Sequence, residues 1–138
     1  MSPALKVLLT GKDGQLGQAL RAAGPAGVEL IACGRAELDL TDAEACAAMV
    51  REHRPDWVLN AGAYTAVDKA ESEPELASAV NAGAPEAFAQ ALAATGGRLL
   101  QVSTDFVFNG EQGHPYRPIA AVYCAPAGCT GRWARTFA

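Results

Sequence analysis

The feature that most limits what this chain can fold into lies within its first 17 residues. Leu5-Lys6-Val7-Leu8-Leu9 is a short apolar run that ends in Thr-Gly, and Gly11-Lys12-Asp13-Gly14-Gln15-Leu16-Gly17 follows at once. Such a run, without polar alternation, reads as a strand buried on both faces, as in parallel sheets. The glycines stand in a G-x-x-G-x-x-G spacing between that strand and a helix from Gln15 to Ala23, which Gly24-Pro25 stops. Gly11 permits a tight turn, Gly14 lets the backbone approach a diphosphate, and Gly17 lets the helix pack closely on the sheet. A bound diphosphate would sit against free N–H groups at the positive end of the helix dipole. No Gly-Lys-Ser/Thr follows, so the loop is not a P-loop. The pattern points to a dinucleotide.

The rest of the chain repeats the strand–helix unit. Val28 to Cys33 is a second strand. Thr41-Asp42-Ala43-Glu44 fits a capping box, with Thr41 as the cap and Glu44 reaching back, and the helix it opens stops before Pro55. Cys46, Met49 and Val50 share one face of that helix. Asp56 to Asn60 is a third strand, a helical stretch runs from Pro74 to Ala94 with Gly83 and Pro85 interrupting it, and Arg98 to Ser103 is a fourth strand. Strands alternating with helices imply an α/β fold, a Rossmann-like doubly wound parallel sheet. Right-handed crossovers place the C-terminal end of every strand on one edge, where such sheets bind ligands. Gly11–Gly17, Gly34-Arg35, Asn60–Thr65 and Ser103–Asp105 all fall there. Beyond about Gly110 the periodicity fails, so 1–116 is expected to be a partial dinucleotide-binding domain of about four strands and 117–138 an atypical tail.

Composition excludes other classes. Half of the 138 residues are hydrophobic and 19% are charged, which supports a packed core. Net charge is −4 and no basic stripe occurs, so no nucleic-acid partner is expected. No apolar run approaches the ~20 residues of a membrane span. The N-terminus lacks the long apolar region of a signal peptide, and a cytoplasmic location is expected. The four cysteines form no C-x-x-C pair and the two histidines are far apart, so no metal site is expected. Cys33 and Cys46 read as small buried hydrophobes.

An acidic residue ending the second strand would hold the ribose hydroxyls of NAD. Here the strand ends Ala32-Cys33-Gly34-Arg35, and Arg35 can pair with a 2′-phosphate, which leans toward NADPH, with NADH the second choice. Asp39 lies a few residues on and can approach the adenine side. Thr104 follows the fourth strand, where a hydroxyl can donate to a developing alkoxide. Asp68, Lys69 and Glu71 read equally well as a solvated helix face.

Four stretches together resemble the dTDP-4-dehydrorhamnose reductases, a family of extended short-chain dehydrogenase/reductases: LLTGKDGQLGQAL (8–20), GRAELDLTD (34–42), RPDWVLNAGAYTAVDKAESEPELASAVNAGAPEAFA (54–89) and LLQVSTDFVFNGEQGHPY (99–116). The resemblance implies reduction of the 4-keto group of a dTDP-6-deoxy sugar with NADPH or NADH. It implies that Gly11, Gly14, Gln15, Leu16 and Gly17 line the pyrophosphate, and that Arg35, Asp39 and Leu40 meet the adenosine end. Asn60, Ala61, Gly62, Ala63, Tyr64 and Thr65 would run alongside the cofactor, and the segment Ala66–Glu71, with Val67 and Asp68, would border the substrate. Thr104, beside Asp105, would orient the sugar's 4-oxygen.

The family's proton donor is a Tyr with a Lys four residues on, because a phenol of pKa about 10 needs a neighbouring cation to act near neutral pH. Here Tyr123 occupies the expected place in Ala121-Val122-Tyr123-Cys124-Ala125-Pro126-Ala127, but position 127 is Ala and no Lys follows Lys69. Phe106 also replaces the family's usual Tyr in Ser-Thr-Asp-Tyr-Val-Phe. The expectation is a truncated or frame-shifted product of low activity or none, with a sheet edge that favours association, including homo-oligomers. The alternative reading is a dinucleotide-binding regulatory subunit resembling that of methionine adenosyltransferase.

Overall fold

A computed structural model describes residues 4–103 and 111–117. In chain order the elements are β1 (Leu5–Thr10), α1 (Gln15–Ala22), β2 (Val28–Cys33), α2 (Ala43–His53), β3 (Trp57–Asn60), α3 (Val67–Ala70), α4 (Pro74–Ser78), one π-helical turn (Ala79–Gly83), α5 (Ala84–Thr95) and β4 (Arg98–Gln101). The strands form one parallel sheet in the order β2-β1-β3-β4. The chain steps one way from β1 to β2 and then returns past β1 to β3. The strand order therefore reverses between β1 and β3, and a ligand crevice is expected outside their carboxyl ends.

Register explains which residues form the core. Ile31, Leu8, Val58 and Leu99 lie side by side across the four strands. This row packs on Cys46 and Val50 of α2 and on Ala84, Ala87, Phe88, Ala91 and Leu92 of α5. Right-handed crossovers in opposite directions put α1 on the other face. There the row of Ala32, Leu9, Leu59 and Leu100 runs from a buried Leu9 to an edge Leu100 that is 51% exposed.

Local chemistry fixes the element ends. Asp42, not Thr41, caps α2: its carboxylate accepts the Ala45 N–H at 3.0 Å. Thr41 instead donates its N–H and its hydroxyl to Asp39, and Glu44 pairs with Arg51, so the expected capping box is not formed. Asp wins because Thr41 already serves the turn before the helix. Gly96, at φ 92°, ends α5 in the left-handed conformation. The expected interruption of the 74–94 helix is a π turn. Pro85 has no N–H for the carbonyl of Asn81 and its ring would crowd it. The wider turn, closed by the Ala84 N–H on the Ala79 carbonyl, keeps the helix going.

Candidate functional site at the β1–β3 crevice

The glycine loop is held by contacts no other residue would permit. Gly11 has φ 67°, and a Cβ there would lie 2.6 Å from the Gly62 nitrogen. A Cβ on Gly17 would lie 1.9 Å from the Gly11 carbonyl oxygen, so the first turn of α1 rests directly on the loop. Gly14 caps α1 without a side chain. The N–H groups of Gln15, Leu16 and Gly17 therefore have no helical acceptor, and they open toward the crevice edge as an anion-binding end. Gln15 and Leu16 are exposed. This donor set fits a pyrophosphate.

Across the crevice, the ends of three strands are joined by a polar chain. Buried Thr10 donates its hydroxyl to Asn60, itself 1% exposed, and accepts the Gly62 N–H at 3.3 Å. Asn60 then donates from Nδ2 to Gln101 Oε1 at 2.6 Å. Satisfied buried networks of this kind rigidify their surroundings. Thr10, Asn60 and Gln101 are register partners, so the network fixes the carboxyl ends of β1, β3 and β4 against one another. Thr10 and Gln101 were not expected as site residues. The available signal was a polar residue at the same level of three neighbouring strands, which is legible only once the strand order is known.

Beyond β3, Ala61 and Gly62 are half-buried and Ala63 and Thr65 are exposed. Leu40 packs on this segment: a Cβ on Gly62 would come within 2.5 Å of its Cδ1. Leu40 thus stands between the β2 and β3 ends of the crevice. Asn81, in the π turn, accepts the Tyr64 N–H at 2.8 Å and donates to the Tyr64 carbonyl at 3.1 Å. This two-point clamp fixes the loop, and nothing in the sequence pattern singled out Asn81. The Tyr64 hydroxyl donates to Glu73, and that bond to a carboxylate is the main cause that raises the phenol's pKa. Val67 opens α3, and Asp68 is exposed in its first turn.

At the end of β2, Arg35 is exposed. The Asp39 carboxylate is taken up by the Thr41 N–H at 2.9 Å and hydroxyl at 2.7 Å, and these two bonds lower its pKa. Another carboxylate, Glu37, was not anticipated here. It pairs with Lys12 of the glycine loop and accepts the Gly34 N–H at 2.7 Å, and the Lys12 bond leads the causes that lower its pKa. Cys33 and Cys46 are free and buried, as expected of small hydrophobes, and burial pushes the Cys46 thiol up to about 12. Among the described residues, no helix is long and apolar enough to cross a membrane, and no group of three metal-ligating side chains occurs. Thr104, Asp105 and Tyr123 lie outside the described residues.

The RmlD substrate binding domain family matches residues 5–133. A dTDP-4-dehydrorhamnose reductase of Streptomyces griseus is 50% identical over 116 residues, covering 83% of this chain and 38% of the relative. The enzyme of that name from Escherichia coli is 45% identical over 121 residues, 81% of this chain and 39% of the relative. Thus the chain spans about two fifths of the length of the curated relatives it matches. Among solved structures, a dTDP-4-dehydrorhamnose reductase from Clostridium acetobutylicum superposes with a TM-score of 0.81 at 37% identity, over 86% of this chain and 43% of that one. One from Bacillus anthracis, in complex with NADP, gives 0.75 at 33% identity, over 82% and 41%. A Thermus thermophilus UDP-glucose 4-epimerase, at 23% identity and a TM-score of 0.67, shares the fold. None of these relatives is named as a regulatory subunit of methionine adenosyltransferase. With a glycine loop, a β1–β3 crevice and a family match spanning residues 5–133, the chain belongs to the RmlD substrate binding domain family.

Proposed function

We propose that this chain carries the cofactor-binding part of an NADPH-dependent reductase that converts dTDP-4-dehydrorhamnose to dTDP-L-rhamnose. The observation behind this reading is the close approach of Gly11 to Gly62 at the point where the strand order reverses, with the open end of α1 beside it. Relatives that match at 33–50% identity bear the reductase name, and one of them is bound to NADP.

The dinucleotide, when bound, supplies the hydride. The N–H groups of Gln15, Leu16 and Gly17 hold its pyrophosphate, and the absence of a Cβ at Gly11 and Gly14 lets the backbone approach it. Arg35, Leu40 and Asp39 take the adenosine end, with NADPH preferred over NADH. Asn60 to Thr65 form the wall along the cofactor, kept in place by Asn81. Val67 and Asp68 border the sugar nucleotide. The Thr104 hydroxyl, beside Asp105, donates to the 4-oxygen, and Tyr123 gives that oxygen its proton. Residues 1–116 make up the binding domain, and 117–138 are a tail of atypical sequence. With Ala127 where the family carries Lys, and no Lys after Lys69, the sequence does not supply the family's partner for lowering the Tyr123 pKa, so turnover is slow or absent. The protein acts in the cytoplasm and can pair into homo-oligomers through a sheet edge that is open among the described residues.

Isothermal titration of the chain with NADPH tests the binding part of this reading: micromolar affinity is expected, and no binding by a folded chain would overturn it. Absorbance loss of NADPH on adding dTDP-4-dehydrorhamnose tests the chemistry.

A further inference from the structure

The polar chain under the crevice does not stop at Gln101. Gln101 accepts the Asn60 amide N–H through Oε1 at 2.6 Å and donates from Nε2 to the Val102 carbonyl at 2.8 Å. Every bond then runs in one direction. The Gly62 N–H donates to the Thr10 hydroxyl at 3.3 Å, Thr10 donates to Asn60 Oδ1, Asn60 to Gln101 and Gln101 to Val102. Turning the Gln101 amide over would set donor against donor at Asn60 and acceptor against acceptor at Val102, so its orientation is fixed from both sides. Asn60 and Gln101 are also the last register pair of β3 and β4. Their side chains therefore hold the two strands together where backbone pairing ends. Asn60 is 1% exposed and Gln101 is half-buried, which shields the bond between them from water.

Strand order says what lies over this chain of bonds. The open end of α1 takes the pyrophosphate and the end of β2 takes the adenosine. With the order β2-β1-β3-β4, the other half of the dinucleotide runs the opposite way, over the ends of β3 and β4. Hydride transfer demands a ring held closely in place, since a misplacement of about 1 Å can cost about a hundredfold in rate. Resting on the dinucleotide-binding reading above, we propose that Gln101 is a positioning residue for the nicotinamide half of the cofactor. It locks the end of β4 to Asn60 and, through Thr10, to Gly62, so both sides of the seat are set before the ring arrives. A seat ordered in advance costs less to occupy than one that must be ordered on binding. Gln101 acts through the backbone that it holds and needs no contact with the ring.

The test is titration of the full chain with NADPH and with 2′,5′-ADP, which lacks the nicotinamide half, for the native sequence, Gln101→Met and Gln101→Glu. Met keeps the length of the side chain and removes both polar groups. Glu keeps the acceptor for Asn60 and loses the donor to Val102. Position 101 is only half-buried, so both variants are expected to fold, which circular dichroism checks. Gln101→Met is expected to weaken NADPH about tenfold and to leave 2′,5′-ADP within about twofold of native. Gln101→Glu is expected to weaken NADPH by less, about threefold, with 2′,5′-ADP again spared. A general loosening of the fold would weaken both ligands together, and that result overturns the inference. Unchanged NADPH affinity in the folded variants overturns it too. A native chain that binds 2′,5′-ADP as tightly as NADPH has no seat for the nicotinamide half, which overturns this inference alone. Failure of the native chain to bind either ligand overturns it together with the reading it rests on. A variant that fails to fold leaves the other to decide by the same ratio.

Discussion

The two faces of the sheet are held by different means. Under α2 and α5, large apolar side chains meet: Leu8, Val58, Val50 and Phe88 are all fully buried. On the α1 face, the one buried residue of the helix is Gly17, and Leu16 is 41% exposed. There, beside the buried Leu9, the closest contact is backbone on backbone, with α1 seated on the Gly11–Lys12 turn. Side-chain burial stabilises by ~25 cal/mol per Å² of apolar area. A glycine contact buries little but fixes a helix end to within tenths of an ångström. The first face supplies stability, and the second spends its close packing on aiming N–H groups at the crevice.

The sharpest way to break this contrast is Phe88→Ala. Loss of a fully buried aromatic is expected to destabilise the chain by about 3–5 kcal/mol in a denaturant titration. Total stability of a domain is ~5–15 kcal/mol, so this variant approaches unfolding. A cost below about 1 kcal/mol would mean that α5 does not anchor the fold. Gly17→Ala comes next. In an ordinary helix Ala is favoured over Gly by about 1 kcal/mol. Here the new Cβ would meet the Gly11 carbonyl at 1.9 Å, and a backbone neighbour cannot swing aside. The expected result is a loss of about 1–3 kcal/mol, with NADPH affinity down at least about tenfold. A stabilised Gly17→Ala variant that still binds NADPH would show that α1 is not seated as described. Leu16→Ala, on the same helix, is expected to stay within about 0.5 kcal/mol of the native chain, because its side chain is exposed. A larger loss would mean that α1 is also held by its own side chains.

How much of this was legible in the sequence follows the same division. The strands were readable because a run such as Leu5–Leu9 has no polar alternation, and α2 because Cys46, Met49 and Val50 recur at helical spacing. The glycine loop was readable because its three glycines each do a task that other residues cannot. What escaped the sequence depends on strand order. Thr10, Asn60 and Gln101 form one network only because β1, β3 and β4 are neighbours in that order, and 41 residues separate Asn60 from Gln101. Asn81 reaches Tyr64 because a π turn rotates it there, and helical periodicity carries no sign of an added residue in a turn. Thr41 was given the cap of α2 by pattern, while the structure gives it to Asp42; a local competition between two good caps is decided by which one the preceding turn already uses.

The smallest effect near neutral pH also separates the two regions. At the β2 end, Glu37 and Asp39 have folded pKa values below the ordinary 4.5 and 3.8, because Lys12 and Thr41 bond their charged forms. A depressed folded value means that these groups support the fold fully above their unfolded values, and that the support fades as pH falls through the folded ones. Both groups are solvent-facing, so the decline is shallow. In the α2–α5 core the sign is opposite. Burial raises the Cys46 thiol from 9.0 to about 12, so its contribution is complete below 9.0 and is lost as pH rises toward 12. Thermal melts across pH should then show an acid limb below about pH 4.5 that Glu37→Gln flattens and Cys46→Ala leaves alone. The alkaline limb should respond to Cys46→Ala and ignore Glu37→Gln. If Glu37→Gln changes neither limb, the Lys12–Glu37 pair contributes nothing to holding the loop against β2, and the cofactor end would be fixed by the glycine contacts alone.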